Sequence, residues 1–221
     1  MSPLLFWNDE KLVNLSFQSL KSISDSNRVF AKCMSLQSVI FPSLLELDDD
    51  DQMFSGCSSL SSVEFSSLSS INKSILVFEK CASLQSIDFP TLKSISKSRS
   101  IFEGCTSLQS VVFPSLLELS ENNRMFFDCN SLSSVEFPKL SSIDELTISF
   151  MFGRCKSLKT LKMPTISSNE FPEKWQTTFK ECTLPLSIYI NNVDSASIGN
   201  LPNAVPRGST IVCKDKTITT T

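Results

Sequence analysis

Two kinds of side chain in this sequence have the spacing to do chemistry: thiols and carboxylates. Cysteines stand at positions 33, 57, 81, 105, 129 and 155, separated by 24, 24, 24, 24 and 26 residues, with two more at 182 and 213. A disulfide needs Cβ atoms about 3.5–4.5 Å apart and turned toward each other. Residues at identical places in stacked units instead point the same way, at the strand spacing of about 4.7–4.9 Å. Zinc needs ligands that converge tetrahedrally, and the chain has no histidine and no Cys-x-x-Cys, while thiols strung along an axis cannot converge. The spacing therefore predicts a structural column of free, buried thiols at Cys33, Cys57, Cys81, Cys105, Cys129 and Cys155, with cysteine used as a small apolar residue, and no metal.

Glu64 and Asp88, also 24 residues apart, would stand about 5 Å from each other on adjacent units, the separation that retaining glycosidases use. Such enzymes need surroundings that drive the two pKa values apart, and an open row of exposed residues supplies none. The pair reads as part of a solvated acidic column. Absence of histidine also removes the commonest general base and any Ser-His or Cys-His nucleophile. The run Asp48, Asp49, Asp50, Asp51 gathers oxygens in a bend, but without the alternate spacing and glycine of an EF-hand loop it reads as a solvated turn. No catalytic residue and no cofactor is expected.

What would position these groups is a repeat. One unit reads Phe78, Cys81, Leu84, Ile87, Phe89, Pro90, Leu92, Ile95, and the next Phe102, Cys105, Leu108, Val111, Phe113, Pro114, Leu116, Leu119. A period of this length marks a solenoid, in which one unit cannot bury its apolar side and stacking makes the core. The doublet residue before each Phe, such as Val77 or Ile101, adds one more inward position. Val39-x-Phe41 has the period of a half-buried strand, so each coil is expected to supply one short parallel strand. Pro42, Pro90, Pro114, Pro138 and Pro164 then end it, since proline cannot donate to a ladder; Ser66 stands in that place in the second unit. Leu44 and Leu47, with their equivalents, face back from the opposite wall.

Between the inward residues of the strand one column points outward: Ser16, Ile40, Glu64, Asp88, Val112, Glu136 and Lys162. It forms the candidate ligand-binding face, with Ile40 and Val112 as apolar contacts and Glu64, Asp88 and Glu136 steering a basic or polar ligand. Ser35–Leu47 and Ser107–Leu119 share Ser-Leu-Gln-Ser-Val-x-Phe-Pro-Ser-Leu-Leu-Glu-Leu, which indicates duplication of a three-coil block. At the ends, Phe6, Leu12, Leu15, Phe17, Leu20 and Ile23 keep the frame, Asp9 replaces cysteine, and Trp7, Trp175 and Tyr189 are expected to pack caps.

The pattern Phe-x-x-Cys-x-x-Leu-x-x-Ile-x-Phe-Pro-x-x-Leu-x-x-Ile resembles the BspA-like leucine-rich repeats over Phe6 to Ile166, with a weakened unit to Ile190. The resemblance implies a right-handed, curved leucine-rich-repeat solenoid with little helix, strands along one face, and adhesion or protein binding at microbial surfaces. The chain departs from the family in carrying Val, Met or Ile where alanine usually precedes the Phe. Residues 1–167 form the expected solenoid, with a capping coil over 6–29 and six coils from Phe30; 168–191 form a degenerate repeat and 192–221 a C-terminal cap.

Composition narrows the function further. With 41% apolar and 19% charged residues the chain of 221 suits one folded body. A net charge of -3 gives no basic field for nucleic acid. No apolar run is long enough for a transmembrane segment, and Asn8, Asp9 and Glu10 interrupt the start where an export leader would be apolar. The expectation is a non-catalytic scaffold binding a protein or cell-surface ligand through its strand-lined face. The alternatives are a structural or receptor-binding component of a virion or surface appendage and, more remotely, a carboxylate-dependent glycoside hydrolase. The resemblance suggests a surface or secreted setting, with virion or cytoplasm also compatible; the oligomeric state is open.

Overall fold

The structure, a computed structural model, describes residues 6–24, 27–49, 51–172 and 175–221; Asp50 of the acidic run and the start of the chain through Leu5 fall outside them. Coil follows coil by short strands. The first coil gives β1 (Asn14–Ser16) and β2 (Ser22–Ser24), the next β3 (Ser38–Ile40) and β4 (Glu46–Asp48), and the next β5 (Ser62–Glu64) and β6 (Ser70–Asn72). The coil after that yields only β7 (Ser94–Ser96). Then come β8 (Ser110–Val112), β9 (Glu118–Ser120), β10 (Ser134–Glu136), β11 (Ser142–Ile143) and β12 (Thr160–Lys162), and finally β13 (Ser187–Ile190), β14 (Thr210–Cys213) and β15 (Thr217–Thr219). The one α-helix among the described residues, α1, covers only Leu201–Ala204.

Each coil thus carries up to two strands, where the sequence predicts one. The second strand is centred on the residue read as half of an apolar pair: Leu47 is buried between the outward Glu46 and Asp48. Its backbone groups need partners once the coils stack, and the next coil offers them in register, Leu47 opposite Ile71 and Ile71 opposite Ile95. One inward residue flanked by two polar ones is too short an alternation to announce a strand by itself. The second wall runs β2-β4-β6-β7-β9-β11 without interruption. The first wall is divided, into β1-β3-β5 and β8-β10-β12-β13-β14-β15.

Between the walls the phenylalanines form two columns. Phe6, Phe30, Phe54, Phe78, Phe102, Phe126, Phe152 and Phe179 stack at 5.3–5.6 Å between centroids. Phe17, Phe41, Phe65, Phe89, Phe113 and Phe137 stack at 5.2–5.7 Å. Such aromatic pairs contribute about 0.5–1.5 kcal/mol each beyond their burial. On the turn side, Phe30, Phe54, Phe78, Phe102 and Phe126 donate their N–H to the next coil at 2.8–2.9 Å. Small hydroxyls tie coils together elsewhere: Ser67 Oγ donates to Pro42 O at 2.7 Å and Ser115 Oγ to Pro90 O at 2.8 Å.

β15 turns back antiparallel on β14. Trp175 is buried between Phe171 and Phe179, its indole N–H donating to Pro172 O at 2.7 Å. The other two aromatic residues expected to pack caps behave differently. Trp7 is 43% exposed, and half-buried Tyr189 lies on β13 in register with Lys162, continuing the outward column.

Candidate recognition face

The thiols from Cys33 to Cys182 occupy one column behind the turn side, and Cys213 lies apart from it on β14. All eight cysteines are free, and those from Cys33 to Cys155 are 0–1% exposed. Each Sγ–H donates to a phenylalanine carbonyl one coil earlier: Cys57 to Phe30 O at 2.9 Å, Cys81 to Phe54 O at 3.2 Å, Cys105 to Phe78 O and Cys129 to Phe102 O at 3.0 Å. That carbonyl already accepts the N–H of its own coil's cysteine, Phe30 O from Cys33 at 3.2 Å. The thiol therefore fills a second lone pair that alanine would leave empty, a reason for cysteine that periodicity does not reveal. Burial pushes the Cys57 thiol up to about 12 and raises Cys81, Cys105, Cys129 and Cys155 as well, so these are protonated groups and poor nucleophiles.

The outward column of the first wall lies in register. Ser16 pairs with Ile40, Ile40 with Glu64, Val112 with Glu136 and Glu136 with Lys162. Glu64 meets Asp88 in a single isolated bridge. Lys162 Nζ lies 2.7 Å from Glu136 Oε1, a hydrogen bond that raises the lysine's pKa. Glu64 accepts only a local bond, from Ser66 Oγ at 2.8 Å, and no cation among the described residues pairs with Glu64 or Asp88. Both carboxylates are exposed on an open groove with a volume of about 390 Å3.

Val63 and Ile87 behind this place are 5% and 4% exposed, against 0% for Val39, Val135 and Leu161 elsewhere on the wall. Aspartate is a poor strand former; the like-charged rung to Glu64 still keeps one bridge, and the rung without any bridge is the one from Asp88 to Val112, so the missing strand follows from Asp88 itself more than from repulsion across the bridge. Asp48 accepts from Asn72 Nδ2 at 2.7 Å, and among the described residues no group of three or more acidic or cysteine side chains converges as a metal site.

Sequence reasoning passed over two exposed features. On the second wall Leu45 and Leu117 are 48% and 43% exposed; the signal was the surplus middle leucine of Leu44-Leu45-Glu46-Leu47 and its copy at 116–119. On the turn side Arg124 lies 3.9 Å over the Phe127 ring and pairs with Glu103 at 2.8 Å, while Arg154 pairs with Glu181 at 3.1 Å. No periodic pattern marks that cluster.

In-register coils, a phenylalanine core and ladders of outward side chains define a parallel β-solenoid of short repeats. The BspA type leucine rich repeat region matches in six copies, over residues 3–119 and 74–200. The chain belongs to that family. Among solved structures it is similar to the leucine rich repeat protein of T. pallidum, at 25% identity and a TM-score of 0.57, over 76% of this chain and 78% of that one. It also matches a leucine rich cell surface protein of Faecalibacterium prausnitzii at 14% identity and a TM-score of 0.40, over 90% of this chain and 87% of that one. A search of the curated proteins finds none that matches. No helix among the described residues is long and apolar enough to cross a membrane.

Proposed function

We propose that the protein is a non-catalytic scaffold that binds a protein or cell-surface ligand through the first wall, with Ile40, Glu64, Asp88, Val112, Glu136 and Lys162 as the contact column. The observation that carries this reading is that column itself: apolar and charged side chains held outward on a rigid stack, with Val112 42% exposed. Membership in a repeat family whose fold suits protein binding supports it. A cell-surface or secreted setting belongs to the same reading. The carboxylates act in steering and register, which favours fast and selective docking over raw affinity.

The test places a photo-crosslinking residue at Val112 on the first wall or at Ser94 on the second, and exposes the full chain to extracts and surfaces of its source. Adducts at Val112, absent from Ser94 and lost in a Glu64→Lys, Asp88→Lys, Glu136→Lys chain, are the expected result. Unchanged adducts in that triple variant, or adducts only at Ser94, would remove the first wall from consideration.

A further inference from the structure

The interruption in the first wall has a shape of its own. The residue after each strand normally donates its N–H to the next coil: Phe17 to Ile40 O, Phe41 to Glu64 O and Phe113 to Glu136 O at 2.9 Å, and Phe137 to Lys162 O at 2.8 Å. At Phe65 only the loose contact of the isolated Glu64–Asp88 bridge is left, and Phe89 makes no such bond to Val112. The wall opens on both sides of Asp88, as a groove of about 390 Å3 that reaches Glu64 and Ser66 and one of about 270 Å3 that reaches Val112 and Pro114. They share Asp88 and Pro90.

Charge decides what such a groove accepts. Elsewhere Glu136, Glu103 and Glu181 each hold a basic side chain at 2.7–3.1 Å, whereas Glu64 and Asp88 face each other across one rung. A divalent cation is a poor occupant, because calcium takes about 6–8 oxygen ligands and no third acidic side chain converges there. A guanidinium, planar and forked, can donate to two carboxylates a rung apart, about 4.8 Å.

The neighbours then fix the spacing of the rest. Ile40 and Val112 stand on the rungs before Glu64 and after Asp88. Each lies one and a half rungs from the midpoint of the carboxylates, about 7 Å at the usual strand spacing and about 8.5 Å at the 5.6–5.7 Å that separates the phenylalanines behind them. In an extended peptide, side chains on one face recur every two residues, about 6.6–6.8 Å. The two spacings differ by no more than about 2 Å, within the reach of a flexible side chain.

We infer that the groove seats an extended segment of a partner protein with the pattern apolar-x-Arg-x-apolar, running along the solenoid axis, its guanidinium between Glu64 and Asp88 and its apolar side chains on Ile40 and Val112. This rests on the reading of the first wall as the binding face and names what that face takes.

The probe is the capped peptide Gly-Val-Ser-Arg-Ser-Val-Gly, titrated into the 15N-labelled full chain. Amide shifts are expected at Ile40, Phe65, Phe89 and Val112. Replacing the arginine by citrulline, or the protein by its Glu64→Gln, Asp88→Asn variant, should weaken binding about tenfold or more, as losing a charge-assisted hydrogen-bond pair does. Moving the valines next to the arginine should weaken it at least about threefold, because adjacent side chains of a strand point to opposite faces. Equal affinity for the citrulline peptide, equal affinity for the respaced peptide, or shifts elsewhere on the protein would overturn the inference. If the peptide fails while crosslinks at Val112 persist, the scaffold reading stands without this occupant; if the crosslinks fail too, both fall.

Discussion

Glu64 faces Asp88 across one rung of the first wall, and further along the same column Glu136 faces Lys162. The coils behind the two pairs share a stacked phenylalanine, a buried aliphatic residue and a buried thiol, and differ in Ser66 in place of proline after the first pair's Phe65 and in Met163 in place of phenylalanine behind Lys162. Yet the opposite-charge pair sits in a continuous sheet, while the like-charge pair keeps one isolated bridge and the wall parts fully on the far side of Asp88, opposite Val112. The contrast teaches that in this architecture the core makes the stack, while outward residues decide whether a given rung closes. A site for a ligand can therefore arise from a surface change alone, without disturbing the repeat that carries it.

The largest expected effect tests whether the gap reaches the core. Phe137→Ala, beneath the closed region, should cost about 3–5 kcal/mol in urea unfolding. Phe89→Ala should cost about 1 kcal/mol less, because the wall around it is already loosened and the lost packing is smaller. Equal losses would confine the opening to the surface.

Next comes alkaline pH. Burial raises the folded pKa values of the thiols above the unfolded value of about 8.5. Their contribution is fully present below pH 8.5, by about that value, and is lost as pH climbs toward the folded values, for Cys57 about 12. The slope is about 1.4 kcal/mol per pH unit for each thiol. Cys81→Ala behind the gap and Cys129→Ala behind the closed region should each remove one thiol's share of that slope. A smaller change for Cys81→Ala would show that water reaches the column through the opening.

A smaller effect comes from reversing the charges. Asp88→Lys should give Glu64 the partner that Glu136 has, raising stability by about 0.5 kcal/mol and slowing hydrogen exchange at the Phe65 amide. Lys162→Glu should do the reverse and speed exchange at Phe137. Unaltered exchange at both amides would dissociate charge from closure. The smallest effect belongs to Lys162→Gln, an exposed pair whose loss should shift the urea midpoint slightly at low salt and not at all in about 1 M salt, where screening falls to about 3 Å.

Much of this was legible in the residues. Repetition of Phe, Cys, Leu and Phe at one phase already implies that equal positions share a column, so the thiols' parallel placement and the order of the outward residues Ile40, Glu64, Asp88, Val112, Glu136 and Lys162 could be written down beforehand. The strand around Leu47 could not, because Glu46-Leu47-Asp48 carries one inward residue and becomes a strand only when Ile71 lies opposite. Trp7 and Trp175 look alike as end aromatics, but one is exposed and the other buried against Phe171 and Phe179.

The sequence by itself determined the stack, since a repeat that hides its apolar side only against a copy of itself has one economical way to fold. Only the tertiary structure decided where the wall parts and which carbonyl each thiol meets. Both depend on what two neighbouring coils present to each other, and that relation is a property of the pair, absent from either unit read alone.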